Sequence, residues 1–289
     1  MEMGQTGVWF PVHGLGRADL VKLAQGVERL NYDVLWYPES VGYECLALGS
    51  FLLGQTSSLR LASGIANIYA RDAFSAMAGH NTLNALYGDR FVLGLGVSHV
   101  PLVEGRRGHS YGKPVATMRA YLDAMAAAEV VVQSSTRNIV LAALGPKMLA
   151  LAREKTDGAL PYNVPPEHTV QASAILGPDR WLCVEQMVCL TTNADVAREV
   201  AAQHLGRYMQ MPNYRNNWLR LNFGEEELAG RGSNRFLDAI VAWGNAETIR
   251  ARLKAHVDAG ATHVCIQPLN PDGSGMPDWR ALEALAPQD

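Results

Sequence analysis

The chain has 289 residues, 48% of them hydrophobic and 18% charged, with 27 glycines and 14 prolines. That composition excludes a disordered, collagen-like or coiled-coil chain, and the length suits two ordinary domains or one closed α/β barrel of about 250 residues. A net charge of −3 with no Lys/Arg cluster excludes nucleic acid and an anionic membrane surface as partners.

In chain order, the opening stretch MEMGQTGVWFP lacks the positive n-region and apolar h-region of a secretory signal. No run approaches the roughly 18 uncharged apolar residues of a bilayer span. Cys45, Cys183, Cys189 and Cys265 have no C-x-x-C spacing and sit in apolar runs, as buried reduced thiols do. The expected compartment is the cytoplasm.

Strand-like runs fall at 7–11, 33–37, 60–68, 91–96, 139–144, 158–162, 181–191 and 262–268, eight in all. They are nearly continuous in apolar character, as parallel strands covered on both faces are. Helical stretches alternate with them. Leu20, Leu23, Ala24, Val27 and Leu30 form one apolar stripe. Asp72 is placed to cap a helix carrying Phe74, Met77, Leu83 and Leu86 and stopped by Gly88. Asn245 caps another bearing Ile249, Leu253 and Val257, ended by Gly260. The pattern predicts a (β/α)8 barrel forming one domain over residues 1–289. The competing doubly wound sheet lacks the G-x-G-x-x-G turn after its first strand. Residues 204–236, with Tyr208, Tyr214, Trp218 and a Gly-rich turn, interrupt the repeat between strands seven and eight. Such an insertion serves as a lid or substrate wall, or as outer helices at a dimer interface.

In a barrel of this kind the chemistry sits at the C-terminal ends of the strands. Here those ends carry His13, Glu39 and Ser40, then Gly64, Ile65, Ala66 and Asn67, then Val97, Ser98 and His99. Further on come Leu144, Gly145, Pro146 and Lys147, then Tyr162 with Asn163, then Thr191 and Asn270. The histidines form no H-x-H or H-E-x-x-H pair, which argues against a catalytic metal, and His80, His204 and His256 lie on helical patterns as solvated or structural residues. No strand core offers a lysine for Schiff-base chemistry, and no G-x-S-x-G elbow is present. Two features are informative. Ala62, Ser63, Gly64 and Ala66 leave the third strand bare enough for a flat ring to lie against it, or for a bulky neighbour to pack there. Gly145 and Pro146 open a helix whose free N–H groups, with Lys147 beside them, suit an anion. Together they describe a barrel holding a planar cofactor with a phosphate tail.

The segments GVWFP, YDVLWYPES, LRLASGIANIYARDAFSAMAGHNTLNALYGDRFVLGLGVSH, VLAALGPKMLALAREKTDGALPYNV, VAWGNAETIRARL and THVCIQPL resemble the luciferase-like monooxygenase superfamily, and within it the branch that uses the 5-deazaflavin coenzyme F420. The resemblance implies a cis peptide bond between Gly64 and Ile65, backing the coenzyme ring, with Ala66 and Asn67 following. It implies that Val97, Ser98 and His99 lie near ring and substrate. Leu144, Gly145 and Pro146, with Lys147, match the segment holding the coenzyme phosphate, and Tyr162 and Asn163 border its tail. Glu39 and Ser40 stand where the sugar-phosphate dehydrogenases of the superfamily carry an Asp-His pair, and His99 where they carry a Glu donor, so that substrate class is not expected. Glu39 or His99 then serves as acid–base partner or hydrogen-bonds the coenzyme; Trp9, Trp36 and Tyr69 wall the ring or belong to the core. The implied protein is a cytosolic homodimer that moves a hydride between coenzyme F420 and a small organic substrate. The alternatives are a monooxygenase using reduced FMN and a non-catalytic flavin- or deazaflavin-binding protein.

Overall fold

The computed structural model describes residues 3–287. The first two residues of the stretch read for a secretory signal, and the last two of the expected domain, lie outside them. The strands are β1 (Thr6–Trp9), β2 (Val34–Tyr37), β3 (Arg60–Ser63), β4 (Ala66–Asn67), β5 (Phe91–Gly96), β6 (Ile139–Leu141), β7 (Gly158–Ala159), β8 (Trp181–Leu190), β9 (Val241–Gly244) and β10 (His263–Pro268). Neighbours run β1-β2-β3-β5-β6-β7-β8, and β10 pairs with both β8 and β1, so the sheet closes as an eight-stave parallel barrel. Closure removes the open-sheet alternative.

Two departures from the sequence reading have physical causes. The third stave is split. β3 and β5 pair through Ala62 and Val92, and pairing resumes in β4 with Ala66 opposite Leu95. Three residues (Ser63, Gly64, Ile65) therefore oppose two (Leu93, Gly94), which is a one-residue bulge. Gly94 lets it close: a Cβ there would lie 2.0 Å from the Ser63 carbonyl oxygen. The second departure is β9, unforeseen because four residues, VAWG, follow the helix Asn234–Ile240 with no turn between them. β9 pairs with the far end of β8, Met187 to Leu190, above the short ladder that β7 makes with Trp181 and Leu182.

The end signals hold. Asp72 accepts from the Ser75 N–H at 2.8 Å, Gly88 takes a left-handed φ of +64°, and Asn245 accepts from the Thr248 N–H at 2.9 Å. All four cysteines are free and buried. Among the described residues no helix is long and apolar enough to cross a membrane.

Alternation along the staves sorts the core into two shells. Val8, Leu35, Leu61, Leu93, Leu141, Val184 and Ile266 pack outward under the helices. Trp9, Trp36, Ala62, Val92, Val140, Leu160, Cys183, Met187 and Cys265 fill the interior. Trp36 is thus core rather than pocket wall; its Nε1–H donates to His263 Nε2 at 3.0 Å, and His263 Nδ1 donates to the Gly4 carbonyl at 2.9 Å. Both imidazole nitrogens are satisfied by a neutral ring, and burial lowers its pKa to about 4. Glu185 is fully buried and shares the inward parity of Cys183 and Met187.

Candidate functional site

The bulge is held from three sides. Gly64 and Ile65 are joined by a cis peptide bond, as the resemblance implied. Trp9 Nε1–H donates to the Gly64 carbonyl at 2.9 Å, and the Ile65 carbonyl accepts the Glu39 N–H at 3.1 Å. The Glu39 carboxylate then receives the N–H of Asn67 at 2.9 Å and of Cys45 at 3.3 Å, and pairs with the guanidinium of Arg71 through both oxygens. Both Glu39 carboxylate oxygens are engaged inside the protein. Arg71 also reaches Glu44, so its guanidinium sits among the Glu39, Glu44 and Cys45 ligand atoms that lie within 4.8 Å of one another. A positive charge already occupies that cluster. Ser40 next to it is half-buried. Trp9→Phe deletes the donor to the Gly64 carbonyl and is expected to cost about 1–2 kcal/mol; an unchanged urea midpoint would show that the bond does not hold the bulge.

The bulge is also bare. A Cβ on Gly96 would meet Ile65 Cδ1 at 2.5 Å, and one on Gly64 would meet Trp9 Nε1 at 2.5 Å, so both positions exclude a side chain. Asn67 is fully buried, yet its Nδ2 has no partner; neither do Nδ2 and Oδ1 of Asn163, which is 1% exposed. A shelf whose backbone is bared at Gly64 and Gly96, bordered by buried amide groups that lack partners, fits a flat heterocycle rich in carbonyl and ring nitrogen groups.

Around this shelf the structure gathers most of the expected residues. Tyr162 packs on Trp9 with ring centroids 4.9 Å apart, and Tyr214 lies 6.2 Å from Tyr162 and 5.9 Å from His99. Ser98 adopts a left-handed φ of +58°, and its carbonyl accepts the Tyr111 hydroxyl at 3.2 Å, which fixes the turn that Val97 enters and His99 leaves. Burial, and then the charge of Arg207, lower the His99 pKa, so its imidazole is neutral at pH 7. Tyr69 stacks on Tyr111 at 6.0 Å beside the same loop. Leu144 and Gly145 form the turn into the helix Pro146–Lys155, with Lys147 exposed on its first turn.

The insertion packs against the residues that follow β7. It comprises the end of the helix Ala194–Met209, the helix Pro212–Arg220 and an irregular stretch leading to Ser233. Trp218 Nε1–H donates to the Asn163 carbonyl at 2.9 Å, and Tyr208 and Tyr214 cover Tyr162. A directed hydrogen-bond chain results. Arg207 donates to the Tyr208 hydroxyl at 2.6 Å; Tyr162 donates to Gln267 Oε1 at 2.8 Å, so the Tyr208 hydroxyl must donate to that of Tyr162 at 3.2 Å. Gln267 Nε2 donates to His204 Nε2 at 3.1 Å, which requires a neutral His204, and burial lowers its pKa to about 4. His204 and Gln267 line a cleft of about 240 Å3 with Phe10, Leu269, Asn270 and Met276 at the ends of β1 and β10. None of the residues expected to hold a coenzyme lines that cleft.

Sequence reasoning missed Glu185, Arg71 and Arg207, and read His204 as solvated or structural. Glu185 Oε2 accepts the Asn163 N–H at 3.0 Å while Oε1 has no partner, and burial raises its pKa to about 8.

Residues 5–263 match the family model described as luciferase-like monooxygenase. A Mycobacterium tuberculosis protein whose name places it among coenzyme F420-dependent oxidoreductases is 29% identical over 194 residues, 56% of this chain and 55% of that relative. The chain spans about half the length of the curated relatives it matches. Among solved structures, an F420-dependent secondary alcohol dehydrogenase bound to an F420–acetone adduct superposes with a TM-score of 0.78 at 14% identity, covering 99% of each chain. An FMN-bound type II Baeyer–Villiger monooxygenase of Pseudomonas putida superposes at 0.69 and 13% identity, covering 98% of this chain and 97% of that one. These structural likenesses concern the fold.

Proposed function

We propose, from the premise that the chain belongs to the luciferase-like monooxygenase family, that it is an oxidoreductase holding coenzyme F420 at the C-terminal mouth of its barrel and acting on a small organic substrate. The observation that carries this reading is the bare bulge 64–67, pinned by Trp9, Glu39 and Arg71 and bordered by the unpartnered amide of Asn67. Two named relatives, the mycobacterial protein and the alcohol dehydrogenase, support the choice of coenzyme.

A deazaflavin held on that shelf would supply the hydride chemistry, and the protein would supply orientation and proton handling. The bulge backbone presents one flat face, and Trp9 and Tyr162 close its side. Tyr208, Tyr214 and Trp218 exclude water from above. His99 is the acid–base group: its neutral imidazole accepts a proton from a substrate hydroxyl or returns one to a carbonyl oxygen. Glu39, with both oxygens committed to Arg71 and to backbone N–H groups, is a positioning residue rather than a proton carrier.

The test is reconstitution of the purified protein with coenzyme F420 and, separately, with FMN, following bound chromophore by fluorescence. Binding of F420 and not of FMN is expected. FMN binding alone would replace this reading with the reduced-FMN monooxygenase suggested by the Baeyer–Villiger neighbour. His99→Gln is expected to lower turnover about 100-fold or more while coenzyme binding persists. F420 binding without turnover on any alcohol or carbonyl acceptor would leave a non-catalytic binding protein.

A further inference from the structure

The turn at Gly145 faces a cation that its own sequence neighbourhood does not contain. Gly145 is the N-cap of the ten-residue helix Pro146–Lys155. The N–H groups of Gly145 and Lys147 have no acceptor among the described residues, and Pro146 has none to offer. A Cβ on Gly145 would meet one heavy atom within 4 Å, Nη2 of Arg220 at 3.6 Å. Arg220 belongs to the inserted helix Pro212–Arg220 and has no carboxylate partner among the described residues. Its Nη2–H donates to Asn217 Oδ1 at 3.0 Å, which holds the guanidinium beside the turn. Asn217 is 2% exposed, and its Nδ2 has no partner. From below, His168 Nε2 donates to the Leu144 carbonyl at 2.8 Å, and the Arg220 charge helps to lower the His168 pKa after burial.

We propose that Arg220 and Asn217 bind the phosphate of the coenzyme tail at the Gly145 turn. The two backbone N–H groups at a helix N-terminus and a guanidinium without a carboxylate partner among the described residues meet at one small space, and the buried amide that holds the guanidinium there has an unpartnered Nδ2. Such a set takes a phosphate, whose oxygens accept from backbone N–H groups and, in charge-assisted fashion, from arginine. The missing Cβ of Gly145 leaves the approach open. The insertion thereby carries one ligand for the tail. This inference rests on the reading of the site given above.

The experiment titrates wild type and Arg220→Gln with coenzyme F420 and with its phosphate-free deazaflavin core, followed by fluorescence. The same pair of proteins is titrated with inorganic phosphate and followed by thermal shift. Arg220→Gln is expected to weaken F420 binding by about tenfold or more, the effect of losing a charged hydrogen bond, with the phosphate-free core unaffected. Arg220→Lys is expected to recover part of the loss, and phosphate is expected to stabilise wild type more than Arg220→Gln. Equal F420 affinity in wild type and Arg220→Gln overturns the proposal. Equal weakening toward F420 and its phosphate-free core also overturns it, because the effect then comes from packing. If wild type binds no coenzyme, the functional reading fails, and the phosphate arm decides the Arg220 site: an Arg220-dependent shift supports the anion site, no shift overturns it.

Discussion

Arg71→Met is expected to lower the unfolding free energy by about 3–5 kcal/mol, among the largest effects of any single substitution in this chain. The Arg71 side chain is 10% exposed and that of Glu39 4%, so the pair is almost wholly withdrawn from water. Water screens little of their attraction there, and each ion depends on the other for solvation. Removing the guanidinium leaves the Glu39 carboxylate buried with two backbone N–H groups and no counter-charge. Glu44 loses its partner too, but its side chain is 49% exposed and water compensates it. The opposite substitution, Glu39→Gln, keeps an acceptor for one of the two N–H groups and leaves Arg71 paired with Glu44. Its expected cost is smaller, about 1–3 kcal/mol. Guanidinium denaturation of both variants checks the argument. If both unfold within about 1 kcal/mol of wild type, the ion pair is not what fastens the bulge to β2 and the loop after it. A loss in both variants with the order reversed would mean that the N–H contacts, not the charge, dominate.

The reach of the sequence differs between the barrel and its mouth. The eight staves and the caps at Asp72, Gly88 and Asn245 were readable because each rests on local chemistry: an apolar run of strand length, a side chain that accepts from a nearby N–H, a glycine free to take a positive φ. The split of the third stave was not. Ser63, Gly64 and Ile65 are surplus only when counted against Leu93 and Gly94 on the partner strand, and a single segment holds no such count. The Glu39 clamp has the same character, since Arg71 comes from 32 residues further along the chain. Arg220 stood in an insertion with no periodicity to orient it, and its place over Gly145 follows from how the helix Pro212–Arg220 packs. Glu185 is a different kind of miss. The run WLCVEQMVCL is apolar enough to read as one buried strand, and the run absorbed its carboxyl. The signal was present: an acidic residue of inward parity in a parallel stave has no water to face.

That carboxyl should make the stability of the protein fall as pH rises across the neutral range. Burial is the dominant cause of the raised Glu185 pKa, and the N–H bond from Asn163 opposes it only in part, leaving a value of about 8 against 4.5 for the free side chain. Between those two values the folded state holds a proton that the unfolded chain has released. The folded state binds more protons there, so its stability decreases with each step of pH. Below about pH 4.5 the group is neutral in both states and costs nothing; above about pH 8 it is charged in both, and the full penalty applies. The difference in pKa corresponds to on the order of 4–5 kcal/mol. Glu185→Gln removes the titration while keeping an oxygen for the Asn163 N–H. Variant and wild type are therefore expected to unfold at similar guanidinium concentrations at pH 5, and the variant to gain the advantage progressively at pH 7 and pH 9. Other groups that titrate over this range, His99 and the buried imidazoles among them, are common to both proteins and cancel in the difference. Wild-type and variant midpoints that stay parallel from pH 5 to pH 9 would show that Glu185 is as ionised inside the barrel as in water. The interior would then have to supply a positive group or ordered water at Oε1, the oxygen without a protein partner.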